Sequence, residues 1–175
     1  MREHSLVFST TNILALRAGH QVSSRRPYHP DLESANACPN AEPGDRILCR
    51  EPWRPYVDPD LGPGIKYAAD GAFIAAPADA KAWCSQLAKS RPWWPAYRLP
   101  AWAVRTILTY IAAPTERLHD ITRMAAIEEG IEPRLHRCPL ELFANHWRRT
   151  YGEQSWHANP LVRIVRFERF NPVPV

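Results

Sequence analysis

The stretch from Pro52 to Pro100 constrains this chain more than any other feature. Prolines and tryptophans crowd it, and regular periodicity is weak. Proline fixes φ and removes a backbone donor, so such a run supports neither a long helix nor an uninterrupted central strand. Pro63-Gly64 and Asp70-Gly71 are turn signals. The stretch therefore reads as an insertion packed over one mouth of the fold, with a short helix at Ala78–Leu87 and some β-structure near Tyr67 and Phe73.

The flanking segments are more regular. Leu6 to Ser9 is apolar and β-compatible. Thr11 or Asn12 caps a helix running to about Ala18, and Gly19 is placed to end it in the left-handed conformation. A polar, basic turn follows, His20 to Arg26, stopped by Pro27. Tyr28 to Glu42 reads as loop, and Pro43-Gly44-Asp45 as a turn. Arg46 to Arg50 reads as a strand with Ile47 and Cys49 on one face.

Ala103 to Ala112 is β-branched and aromatic, which predicts a central strand. Asp120 reads as the N-cap of a helix over 121–129, closed by Gly130. Pro139 opens another helix, with Leu140, Phe143, Trp147 and Tyr151 on one stripe and Gly152 at its end. Leu161 to Phe170 is the last strand, before a Pro-rich tail. Strands and helices do not alternate as βαβ units, so the pattern predicts a mixed α+β fold with a small barrel, in a single domain over 1–175 with its insertion at about 52–100.

Composition narrows the function classes. The net charge is +4, and arginine carries most of it, since the lysines are Lys66, Lys81 and Lys89. Arginine presents a planar fork that matches phosphates and base edges, but a GC-rich genome also favours it. The charge permits a polyanionic partner without demanding one. No apolar stretch approaches a membrane span, and the N-terminus has too short an apolar run for a signal peptide, so a cytoplasmic protein is expected. Cys38, Cys49, Cys84 and Cys138 lack the spacing of a zinc knuckle, so free thiols are expected ahead of a zinc site from Cys38, Cys49 and a distant histidine. No metal and no cofactor are predicted.

Six segments in fixed order resemble a known family. FSTTNILALRAGHQVSSRRP (Phe8–Pro27) is similar to a strand, short helix and glycine-led basic turn. CPNAEPGDRILCREPW (Cys38–Trp53) is similar to a G-D-x-L-x-V-R-E-x-W strand. YAADG (Tyr67–Gly71) follows, then WWPAYRLPAWAVRTILTY (Trp93–Tyr110), ERLHDITRMAAIEEGI (Glu116–Ile131) and WHANPLVRIVRFERF (Trp156–Phe170). Over about two-thirds of its length the chain resembles the ASCH-domain proteins of the PUA-like superfamily, of phage and prophage type. The resemblance implies a PUA-like small mixed β-barrel with flanking helices. It also implies a nucleic-acid partner, RNA ahead of DNA, or a modified nucleotide, in a bacterial host cytoplasm.

One branch of that superfamily resembles amidohydrolases acting on N4-acetylcytidine. They use a lysine in the basic turn, a threonine three residues on and a helical glutamate. Carried onto this chain, the hydroxyl falls on Ser24 and the carboxylate on Glu129, while the lysine position holds Gln21. Glutamine is no general base near neutral pH, so the base would have to come from His20. What remains is a binding pocket. Gln21 and Ser24 would read a base edge, Arg25 and Arg26 would hold phosphates, and Trp53 and Trp102 would stack bases, with Arg105 also placed in the groove. The plainer alternatives stay open: the arginines solvate a turn, Glu129 is a surface acid and the tryptophans are core. His119, His136, His146 and His157 show no ligand spacing and read as surface or satisfied residues. The readings ranked here are a binding module first, an amidohydrolase or ribonuclease second, and a phage interaction or counter-defence protein that binds a host protein third. The oligomeric state is not predicted.

Overall fold

The structure is a computed structural model that describes residues 1–28, 40–89, 93–133 and 137–170. Cys38, His136, most of the expected loop before Glu42 and the tail from residue 171 lie outside the described residues. The fold is α+β. In the principal sheet, β1 (Glu3–Val7) pairs in parallel with β3 (Arg46–Arg50). Antiparallel ladders then continue through β7 (Ile107–Ala112) and β9 (Leu161–Arg169) to β2 (Ser23–Pro27). A short strand, β8 (Thr115–Arg117), also pairs with β9 after a register shift between Tyr110 and Ala112.

The closed barrel expected from the sequence is not formed. β1 and β2 are opposite edges of the sheet, and among the described residues no ladder joins them. α1 (Thr10–Arg17) connects these two edges, and its Ile13 and Leu16 cover the core with side chains where a closing ladder would cover it with backbone. Leu6, Ile47, Leu108, Val165 and Phe167 complete this core. Gly19 ends α1 at φ +75°, as its position predicts. Asp45 then fastens the sheet's first edge. Its carboxylate accepts from the backbone N–H groups of Arg2 (2.6 Å) and Glu42 (3.0 Å) and hydrogen-bonds His4 Nε2 (3.1 Å). Those backbone donors hold its pKa well below the usual carboxylate range.

The proline-rich stretch expected to be an insertion is more ordered than its composition suggests. It forms a three-stranded antiparallel sheet of β4 (Trp53–Asp58), β5 (Gly62–Tyr67) and β6 (Phe73–Ala75), backed by α2 (Lys81–Leu87). Pro55 is tolerated because β4 lies at an edge of this sheet, where a missing N–H breaks no ladder on its free side. The inner face of the sheet carries Trp53, Ile65 and Tyr67, packed on Cys84, Leu99 and Ala103.

The helices after β8 enclose the third core cluster. α3 (Arg123–Glu128) is capped by Thr122 rather than Asp120, because the Thr122 hydroxyl accepts from Ala125 N–H. α4 (Pro139–Tyr151) lays Phe143 and Trp147 on Leu118, Ile121 and Val162, and a short helix α5 (Glu153–His157) follows Gly152. Among the described residues no helix is long and apolar enough to cross a membrane.

Candidate functional site

Ser23 to Pro27, read from sequence as part of a turn, is instead strand β2, paired residue for residue with β9 from Ser23↔Arg166 to Pro27↔Val162. Ser23, Ser24, Arg25 and Arg26 are all buried. A buried polar strand needs partners for its groups, and the end of α3 supplies them. Val22 N–H donates to Glu128 O (2.8 Å), and Gln21 bridges Glu129 across the free edge of β2. The Glu129 carboxylate accepts from Arg25 N–H (3.0 Å) and from the Arg25 guanidinium. A second acid, Glu116, accepts from Arg25 Nε (3.1 Å) and Nη2 (2.5 Å). Gly130 makes this approach possible. Its φ is +80°, and a Cβ there would lie 2.8 Å from Ala15 Cβ.

Ser24, Arg25, Arg26 and Glu129 line one recess of about 760 Å³, walled also by Phe8, Asn12 and the His146, Trp147 and Thr150 face of α4. This volume falls within the range of small-ligand pockets. Its two arginines differ in kind. Arg25 is neutralised by two carboxylates. Arg26 donates from Nε to Ser24 Oγ (3.0 Å), and its guanidinium lies 4.8 Å from the centre of the Phe8 ring. Among the described residues no carboxylate pairs with Arg26, although only 9% of it is exposed. Burial pushes the Glu129 pKa up from its ordinary value, against the opposing pull of the Arg25 guanidinium. Burial also lowers the His146 pKa, helped by nearby Arg149 and Arg26. These influences favour the neutral imidazole of His146, which can both donate and accept.

The remaining sequence candidates lie elsewhere. Gln21 is engaged at both ends, accepting from Asn12 Nδ2 (3.1 Å) and donating to Ser23 O (2.9 Å). It ties α1 to β2 and does not line the recess. His20 is exposed on a neighbouring recess with Gly130 and Arg149, which shares only His146 with the first, and it does not line the recess that holds Ser24. Trp53 is fully buried and stacked on Trp94 (5.5 Å between centroids), leaving no face for a base. Trp102 is half-buried against the same core. Arg105 makes a bidentate pair with Glu51 (2.7 and 2.8 Å), reaches Asp70 (2.8 Å) and lies 3.7 Å over the Tyr67 ring, bracing the insertion rather than the recess. Among the described residues no cluster of side chains has the makings of a metal site.

His146 is the site residue that sequence reasoning passed over. The signal was its spacing. It lies three residues from Phe143 and four from Thr150, on the flank of the apolar stripe of α4. Comparison with known proteins adds nothing to these observations: no protein-family model, no curated protein and no solved structure matches this chain.

Proposed function

We propose that this chain is a nucleotide-binding module of the phage-type ASCH, PUA-like kind, taking a nucleotide of RNA or of single-stranded nucleic acid into the recess between β2, α3 and α4. The same reading places it in the cytosol of a bacterial host. One observation carries the proposal. Arg26 is a buried guanidinium that feels the Glu129 charge through space but makes no ion-pair contact with a carboxylate among the described residues, and it is backed by an aromatic ring and opens on a cavity of nucleotide size. A buried cation whose donors meet no charged acceptor is costly, and a phosphate would supply one through charge-assisted hydrogen bonds. Neutral His146 and the Ser24 hydroxyl offer polar contacts to a base or sugar, and Arg25, held by Glu129 and Glu116, keeps β2 in place.

Calorimetric titration with cytidine 5′-monophosphate and with cytidine tests this. The monophosphate should bind more tightly, with an affinity that falls as salt rises. Arg26→Gln should weaken monophosphate binding by about tenfold or more, since a hydrogen bond to a charged group contributes about 1.5–3 kcal/mol, and should leave cytidine binding nearly as it was. If no nucleotide and no RNA binds, or if Arg26→Gln changes nothing, the proposal fails.

A second reading is favoured by the presence of Ser24, Glu129 and His146 around one recess. In an amidohydrolase, neutral His146 would take the Ser24 proton as the hydroxyl attacks an N4-acyl carbonyl, in place of the lysine the family uses. It would return that proton to N4 as the C–N bond breaks and the free cytosine amine leaves. Water would then hydrolyse the Ser24 acyl ester to the carboxylic acid and free Ser24. Turnover of N4-acetylcytidine, followed by absorbance, should then be lost in both Ser24→Ala and His146→Gln. Absence of turnover in the parent protein eliminates this reading.

A further inference from the structure

The outer face of the β4–β5–β6 sheet carries a pattern that the recess does not use. Alternation along β4 sends Trp53 and Pro55 inward and Arg54 and Tyr56 outward. Arg54 stands directly across from Lys66 on β5, and Lys66 directly across from Phe73 on β6. Two like charges opposite one another in a sheet destabilise it. Here neither cation has a carboxylate partner among the described residues, and Arg54 Nε is buried without a hydrogen-bond acceptor.

Aromatic rings flank these cations. Lys66 Nζ lies 3.7 Å from the centre of the Tyr56 ring. The Arg54 guanidinium lies 5.5 Å from Tyr56 and 5.2 Å from Trp93. Arg98, exposed and likewise without a carboxylate, lies 5.2 Å from Trp94 and 5.8 Å from Tyr97. Trp93 is 48% exposed and Tyr97 62% exposed. Gly64 lets the sheet carry this surface closely packed, since a Cβ there would lie 2.5 Å from the Phe73 ring. Tyr97, four residues after Trp93, lines the recess.

We infer that this surface is a platform for single-stranded nucleic acid, on which phosphates meet Arg54, Lys66 and Arg98 while unpaired bases stack on the exposed rings of Trp93 and Tyr97. Alternating cations and accessible rings match the alternation of phosphate and base in an unpaired strand, whose bases are free to stack. A duplex keeps its bases stacked inside and would leave the rings unused. The platform extends the proposed nucleotide recess: the strand would cross the small sheet and deliver one nucleotide at Tyr97. It rests on that reading for its class of ligand, but Arg54, Lys66 and Arg98 do not line the recess.

The test is fluorescence polarisation of a labelled single-stranded RNA oligonucleotide over a salt series, with the triple variant Arg54→Gln, Lys66→Gln, Arg98→Gln beside the parent. Affinity at low salt should fall about tenfold or more, and the log–log salt slope should shrink by about 2, near 0.7 per phosphate contact on a single strand. Thermal denaturation should show the variant no less stable than the parent, because the Arg54–Lys66 repulsion is relieved. Cytidine monophosphate affinity should not change, which separates this face from the recess. An unchanged RNA affinity and slope in the triple variant would overturn the inference. So would poly-glutamate binding as tightly as RNA with the same dependence on these three residues, which would make the face a dock for acidic protein. RNA binding lost in the variant while the parent fails to bind any mononucleotide would support the platform and remove only the recess.

Discussion

Arg25→Ala is expected to lower the stability of the fold by about 3 kcal/mol at neutral pH, because breaking a buried ion pair from one side leaves the other charge stranded. The stranded group is Glu129, which is 8% exposed and gains nothing from water. Loss of the guanidinium removes the main influence holding its pKa down, while burial continues to push it up from the model-compound value of 4.5. The folded state then favours the protonated acid more than the unfolded chain does. That contribution is complete below the unfolded pKa and is lost as pH rises through the folded one. The deficit of Arg25→Ala relative to the parent should therefore grow from mildly acid to neutral pH. Urea denaturation at the two pH values measures it. A deficit under about 1 kcal/mol, or one equal at both, would mean that the Arg25–Glu129 contact does not hold the end of α3 to β2.

Arg105→Ala should cost about 3–5 kcal/mol through the same physics at a different place. Glu51 has no exposed surface, and both its oxygens are held by Arg105. Arg105 also covers Tyr67, whose hydroxyl donates to Ala103 O (2.6 Å) and whose pKa burial pushes up to about 12. The single variant leaves an uncompensated carboxylate beneath the insertion. The double variant Glu51→Leu, Arg105→Met removes both charges at similar volume and should recover most of the loss. Denaturant midpoints of the three proteins decide this. A double variant as unstable as the single one would show that the packing of Arg105 on Tyr67, rather than the charge pair, carries the effect.

How far each feature could be read from sequence follows from where its partners lie along the chain. Pro139, the stripe from Leu140 to Tyr151 and Gly152 define α4 within a few residues of one another, so pattern alone locates it. The left-handed Gly19 and Gly130 are equally local. β2 is not. Ser-Ser-Arg-Arg has no apolar alternation and reads as a turn, yet it is a buried strand because Glu116 and Glu129, 91 and 104 residues away, satisfy Arg25. Nothing near Arg25 in the chain announces those partners. The open sheet was hidden for a related reason, since each strand's character is local but the failure of the β1 and β2 edges to meet is a property of the whole arrangement. In the insertion, the prolines masked an alternation that Trp53, Arg54, Pro55 and Tyr56 carry plainly once β4 is known to be an edge strand. For the histidines, adjacency misled. His20 sits one residue from Gln21 but on another recess, whereas His146 reaches Ser24's recess from α4.

The most direct test of the nucleotide recess is amide chemical-shift mapping of isotope-labelled protein titrated with cytidine monophosphate. The expected result is a saturable set of shifts centred on Phe8, Ser24 to Arg26 and Trp147, absent in Arg26→Gln. Shifts that gather around His20 and Arg149 instead, or that never exceed those caused by an equal concentration of sodium chloride, would contradict it.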